Sequence, residues 1–327
     1  VSEIMLQQTT VKAVVPYYER FLAAFPTLDA LARARLPRVL AAWSGLGYYR
    51  RARHLHAAAR LVARRHQGEV PRERDALLAL PGIGRYTAGA ILSIAWGAQE
   101  PVVDGNVARV LCRWLGERRD PGTREVSDRL WRAAAALVTA TRSPGDLNEA
   151  LMELGATLCT PVSPACGACP LKRDCRARAL DLQERIPPPR RRREQVRLRR
   201  RVALVERDGR YLVRRRAPTG LMDGLWEFPE LGQEGDQAIE PLEPLGSVRH
   251  LVTYRRYEVT VHRGRLTEPP PAGWRWVTPA GLRRLPTSSL VAKVLALHGG
   301  AKVVDRAARS PGRRSPAPRF KADRLPN

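Results

Sequence analysis

The chain has 327 residues, 44% of them hydrophobic, which is enough for two cored domains. No apolar run is long enough to span a membrane and no secretory leader opens the chain, so the expectation is a soluble, cytoplasmic protein without a membrane partner. A formal charge of +25 and a pI near 11.2 favour a polyanionic partner, although arginine-rich composition also arises from GC-rich genomes and points to nucleic acid only weakly.

In chain order, residues 1–183 are helical in pattern. Val11, Val14, Val15, Tyr18 and Leu22 recur at helical spacing. Leu80 to Ile91, LPGIGRYTAGAI, predicts a helix end, a sharp hairpin over Pro81 to Gly84 and a second helix with a small-residue face. Its glycines allow close backbone approach and its second helix opens with free N–H groups, so Gly82, Gly84 and Thr87 are candidates for gripping a DNA phosphate; an ordinary tight turn is the alternative. Asp104 precedes the next helical run and reads on its own as an N-cap. Cys112 lies among Val110, Leu111, Trp114 and Leu115 and reads as core. Ser143, Pro144 and Asp146 predict the start of a helix striped by Leu147, Ala150, Leu151, Leu154 and Leu158.

Cys159, Cys166, Cys169 and Cys175 follow in the order C-x6-C-x2-C-x5-C. Such a group of thiols forms disulfides in an oxidising compartment, holds a zinc ion, or holds an iron–sulfur cube. Nothing in the sequence indicates secretion, and only Cys166 and Cys169 form the paired knuckle that zinc sites usually show twice. Residues 184–200 are rich in proline and arginine and read as an extended, charged linker. Beyond them the period falls to two, in Val202 and Leu204, in Tyr211 and Val213 around an Asp208-Gly209 turn, and in Tyr257, Val259 and Val261. Residues 201–298 therefore read as a smaller strand-rich domain, and 299–327 as a disordered basic tail.

Taken together, the hairpin, the aspartate twenty residues after Gly84 and the cysteine spacing resemble the helix-hairpin-helix DNA glycosylase superfamily, and within it the MutY-type adenine DNA glycosylases. The resemblance rests on Ser2 to Thr9 (SEIMLQQT), Gly45 to Tyr49 (GLGYY), Leu80 to Thr87, Val103 to Asn106 and Leu147 to Ala150. It implies a mainly α, endonuclease III-like domain carrying a [4Fe-4S] cluster on the four cysteines, plus a smaller α+β Nudix-like domain at the C-terminal side.

The same resemblance implies a monomeric base-excision enzyme that hydrolyses adenine from duplex DNA where it is mispaired with 8-oxoguanine or guanine. Glu3 would be the acid, Asp104 the carboxylate that stabilises the sugar cation, and Tyr86 their hydrogen-bonding neighbour. Glu149 would contact the adenine amino group. Gln8 and Tyr48 would wedge into the duplex, with Leu46 as a neighbouring contact. Strand-cutting endonuclease III-like relatives, the alternative within the superfamily, have a lysine where this chain has Tyr86, so the resemblance implies a monofunctional enzyme that leaves an abasic site.

Gly224 to Pro229 (GLWEFP) resembles the Nudix-like domain, but no run of glutamates for magnesium follows it. The lesion-reading loop departs from the family's His-x-Phe-Ser/Thr-His. Here it is His250-Leu251-Val252-Thr253-Tyr254, which keeps a hydroxyl at Thr253. Glu3 also stands third in the chain, whereas family members carry a preceding segment with Pro-Trp-Arg; a misplaced start is the favoured explanation. If that segment is absent in fact, the chain reads as an inactive DNA-binding relative.

Overall fold

A computed structural model describes residues 1–189, 194–217, 222–232 and 236–299. The expected tail lies outside these, apart from Gly299, which ends the last helix.

The first domain is all helical. Helices α1 (Ser2–Leu6), α2 (Val11–Ala24), α3 (Leu28–Arg33), α4 (Leu36–Ala42) and α5 (Tyr49–Arg65) enclose a core of Met5, Phe21, Leu40, Trp43 and Ala52. Helix α2 forms where its period indicated but turns Val14 and Phe21 inward, leaving Val11 and Val15 65% and 45% exposed. A second cluster joins α5 to α6 (Arg74–Leu78) and α7 (Arg85–Ala90) through Val62, Leu77 and Ala88. Helix α7 runs into a π-helical turn, Ile91–Ala95, where the N-terminus of a later helix packs so closely that a Cβ at Gly145 would lie 2.8 Å from the Ser93 carbonyl oxygen.

The third cluster belongs to α8 (Gly105–Leu115), α9 (Arg124–Thr139), α10 (Pro144–Thr157) and α11 (Arg176–Ala179). Cys112 lies fully buried in it, and burial pushes its thiol up to about 11. Helix α10 starts at Pro144 as expected, yet Ser143 gives it no side-chain cap, and Ala150 is exposed rather than part of the stripe.

The linker is shorter than its composition suggested. Ile186 is 2% exposed in the third core, and its carbonyl accepts from Arg113 Nε at 2.8 Å. Strand β1 (Val196–Arg207) begins inside the arginine run, because Leu198 joins the sheet's core and Arg200 lies over the Tyr257 ring and bonds Glu230 at 3.0 Å. Residues 190–193 lie outside the described set, so the described connector is residues 187–189 and 194–195.

The second domain follows with β2 (Arg210–Arg215), β3 (Trp226–Glu227), β4 (Ile239–Val252), β5 (Arg255–Leu266) and β6 (Arg275–Val277). The strand order is β3-β2-β1-β5-β4 with β6 beside β2; β1 and β5 are parallel and the other pairs antiparallel. Asp208 and Gly209, at φ 50° and 67°, make the tight β1–β2 turn that their sequence predicts. Helices α12 (Pro279–Leu282) and α13 (Ser289–Gly299) supply Leu282, Val291 and Val294 against Val202, Leu204, Val259 and Val261. Ala203 and Val205 are buried on the opposite face with Leu212 and Ile239, so the centre of β1 is covered on both sides.

Candidate active site and the cleft beside it

Helix α1 has only five residues and cannot hold itself by its own backbone bonds. Ile4 and Met5 anchor it in the core and leave Glu3 half-buried. A residue that sequence reasoning did not single out completes the anchorage. Arg51, 8% exposed, donates from Nη1 to the carbonyls of Ile4 (3.2 Å), Met5 (2.7 Å) and Gln7, and from Nη2 to Thr9 Oγ1 (3.2 Å) and the Gly47 carbonyl (3.4 Å). In a run reading RRARH it looks like one more surface cation. Burial, the largest cause, raises the Glu3 pKa above its ordinary value; the Val1 amino group pulls it down and the Glu149 carboxylate pushes it up.

The hairpin between α6 and α7 forms as predicted. Gly82 needs to be glycine, with φ +81° and a virtual Cβ 2.6 Å from His54 Cβ. Gly84 caps α7, and both glycines are exposed. Thr87 is 2% exposed and its hydroxyl accepts from Gln7 Nε2 at 3.1 Å, so its side chain ties α1 to α7 and leaves only its backbone for the expected phosphate contact.

Tyr86 stands one residue earlier on α7. Its pKa is raised by burial first, then by the charges of Glu3 and Asp104, so the phenol lies within electrostatic reach of both carboxylates. It does not bond to either of them as expected; its hydroxyl donates to Met152 Sδ at 3.6 Å. Met152 and Glu149 lie three apart on α10, so they share a face, and Glu149 is exposed. Asp104 caps α8 as its place in the sequence predicts, its Oδ1 accepting from the Val107 N–H at 2.7 Å, and the cap takes up one carboxylate oxygen. The segment before it is pinned by Asn148, which was noted only as part of a motif. Fully buried, Asn148 accepts from the Val102 N–H at 3.2 Å and donates to Ser93 Oγ and the Glu100 carbonyl, each at 2.9 Å.

A cleft of about 1270 Å³ opens beside this centre between the two domains. Gln8 and Tyr48 line it, both in the left-handed region at φ 58° and 49°, and Tyr48 is 46% exposed. Leu46 does not; at 8% exposure it belongs to the core. Across the cleft stands the tip of the β4–β5 hairpin, where Thr253 is exposed at φ 56° with its hydroxyl donating to the Val252 carbonyl at 2.7 Å. His250 is 9% exposed, and burial, with Lys293 nearby, lowers its pKa. The domains are tied beside Tyr48. The Thr287 carbonyl accepts from Tyr49 Oη (2.5 Å) and Ser44 Oγ (3.0 Å), the Asp223 carbonyl accepts from Arg53 Nη2 (2.5 Å), and Leu225 is buried in the first domain's core.

Around the cysteines, all four thiols are free and line one small cavity with Arg113, Lys172 and Arg178. Arg113, 3% exposed, donates to Cys159 Sγ at 3.3 Å and to the Thr160 carbonyl at 2.7 Å. Among the described residues no three His, Cys, Asp or Glu are gathered tightly enough for a single metal ion; the sulfurs ring a shared space flanked by cations, which fits an anionic polynuclear cluster. Cys159, Cys166, Cys169 and Cys175 would hold a [4Fe-4S] cluster, which supplies a cross-link of the 159–175 loop and a one-electron redox centre.

Residues 1–136 match the HhH-GPD superfamily of base excision DNA repair proteins, 159–175 the iron-sulfur binding domain of endonuclease III, and 201–297 the NUDIX domain. Among solved structures, a thermostable thymine-DNA glycosylase is 29% identical with a TM-score of 0.50, over 54% of this chain and 82% of that one. Arabidopsis thaliana adenine DNA glycosylase is 40% identical over 73% of this chain and 43% of its own length. The human adenine DNA glycosylase is 36% identical over 92% of this chain and 67% of its own. With that span of likeness across both domains and the connector, the chain belongs to the adenine DNA glycosylase family.

Proposed function

We propose that this chain removes adenine paired with 8-oxoguanine or guanine in duplex DNA by hydrolysis, leaving an abasic site and an uncut strand. The observation that carries the reading is the grouping of Glu3 and Asp104 around Tyr86, with the Glu3 pKa raised by burial. In the reaction Glu3, protonated, gives its proton to adenine N7 while the C1′–N9 bond breaks and its electron pair leaves with the base, so that neutral adenine departs. Asp104, ionised, offsets the positive charge that develops on the sugar. A water then adds its oxygen to C1′ and passes a proton back to Glu3, restoring the acid. Tyr86 contributes a phenol and not an amine at the reacting centre, which supports hydrolysis over Schiff-base chemistry.

Extruding adenine costs a few kcal/mol of stacking and pairing, and Gln8 and Tyr48 are suited to fill the gap it leaves. Thr253, facing the same cleft, offers a hydroxyl to the oxidised guanine. Gly82, Gly84 and the first N–H groups of α7 are the phosphate grip. The test is incubation with duplexes holding adenine opposite 8-oxoguanine or guanine. Free adenine should appear with the strand intact until alkali is added. A borohydride-trapped protein–DNA adduct would show the lyase chemistry instead.

A further inference from the structure

The contacts of Arg51 reach past the acid it helps to seat. Its Nη1 collects the last carbonyls of α1, which have no donor within so short a helix, while its Nη2 reaches Thr9 and Gly47. The guanidinium plane also lies 5.4 Å from the Trp43 ring centroid and 5.3 Å from that of Tyr48. Burial lowers its pKa only to about 10, so it stays charged at neutral pH. Its fork therefore spans two segments. One, α1 and the loop after it, carries Glu3 and Gln8, the other, the loop before α5, carries Tyr48, and both cleft-lining side chains sit at positive φ that the surroundings must impose.

We propose that Arg51 is a positioning residue that locks the acid and both wedge residues into one unit, so that base extrusion and proton donation are assembled together. The proposal rests on the adenine-excision reading. A lysine cannot replace the fork, since an ammonium is a point donor that reaches one segment or the other.

The test uses the full chain with its cluster and three variants, Arg51→Met, Arg51→Lys and Arg50→Met, the last removing an exposed cation from the same cleft. Three quantities are read: single-turnover adenine release at saturating enzyme, duplex affinity, and fluorescence of 2-aminopurine placed opposite guanine on a 2′-fluoro sugar, whose electron-withdrawing fluorine opposes positive charge at C1′, so that the signal reports extrusion without bond cleavage. Arg51→Met and Arg51→Lys should both lose extrusion signal and slow release by about 100-fold, as expected when a reacting group is misplaced by about 1 Å, with affinity changed far less. Arg50→Met should lower affinity, less so at high salt, and leave the saturated rate unchanged. If Arg51→Met does not fold, Arg51→Lys decides: a wild-type rate and signal in that variant overturns the proposal. A wild-type chain that extrudes 2-aminopurine but releases no adenine would instead refute the excision reading and leave the extrusion result to judge Arg51.

Discussion

Because Asp104 commits Oδ1 to the Val107 N–H, replacing it disturbs a helix cap as well as a charge, and the choice of substitute separates the two. Asparagine caps as well as aspartate, so Asp104→Asn should abolish adenine release while leaving thermal unfolding nearly unchanged; Asp104→Ala should add a loss of about 1 kcal/mol in stability. Near-normal release by Asp104→Asn would reduce the residue to its capping role. Glu3 is testable through pH. A general acid acts protonated, so its rate falls as pH rises through its folded pKa, and a raised pKa carries the active form toward neutrality. Glu149→Gln removes one of the raising causes and should move the descending limb of the rate profile toward acid. A limb that stays put, or moves toward alkali, would disprove the coupling of these two carboxylates.

At the scale of elements, the hairpin glycines make a contrast that chemistry alone does not. Gly82→Ala must accept φ +81° and a Cβ 2.6 Å from His54, while Gly84→Ala meets open space at φ −101°. The first should cost on the order of 1 kcal/mol or more in unfolding free energy and weaken duplex binding, and the second should leave stability nearly unchanged. Equal melting temperatures for the two would contradict the packing seen at His54. This hairpin, α10, the β1–β2 turn and the cysteine loop were legible in the sequence because glycine, proline and cysteine spacings act locally. The reach of β1 back to Val196 was not, since it depends on pairing with Arg255 to Gly264 some sixty residues away, and an arginine-rich strand has a linker's composition. Arg51 and Asn148 were equally hidden. Their burial follows from tertiary closure, and nothing in RRARH or LNEAL marks one polar residue as interior.

For the whole molecule, the question is whether the second domain only reads the base opposite adenine or also holds the first domain's cleft in shape. Ile186 belongs to the third core, within the first domain, so a deletion must keep residues through Pro189 to avoid opening it. Even that cut removes Leu225, 1% exposed and worth about 2 kcal/mol of burial, from the core around Trp43, and strips the Thr287 acceptor from Tyr49 and Ser44. Tyr48 sits between those two donors in sequence, so the deletion should slow adenine release opposite guanine as well as opposite 8-oxoguanine. Thr253→Ala leaves the docking contacts in place and removes one exposed hydroxyl, so it should slow only the 8-oxoguanine pairing, by the roughly tenfold that about 1 kcal/mol or slightly more allows. Thr253→Ser should restore the preference. Comparison at matched salt is essential, because the deletion also removes basic residues and with them phosphate affinity. An unchanged rate opposite guanine after the deletion would mean that the interdomain contacts do not shape the Tyr48 loop, and equal slowing of both pairings by Thr253→Ala would mean that the hairpin tip anchors DNA without reading it.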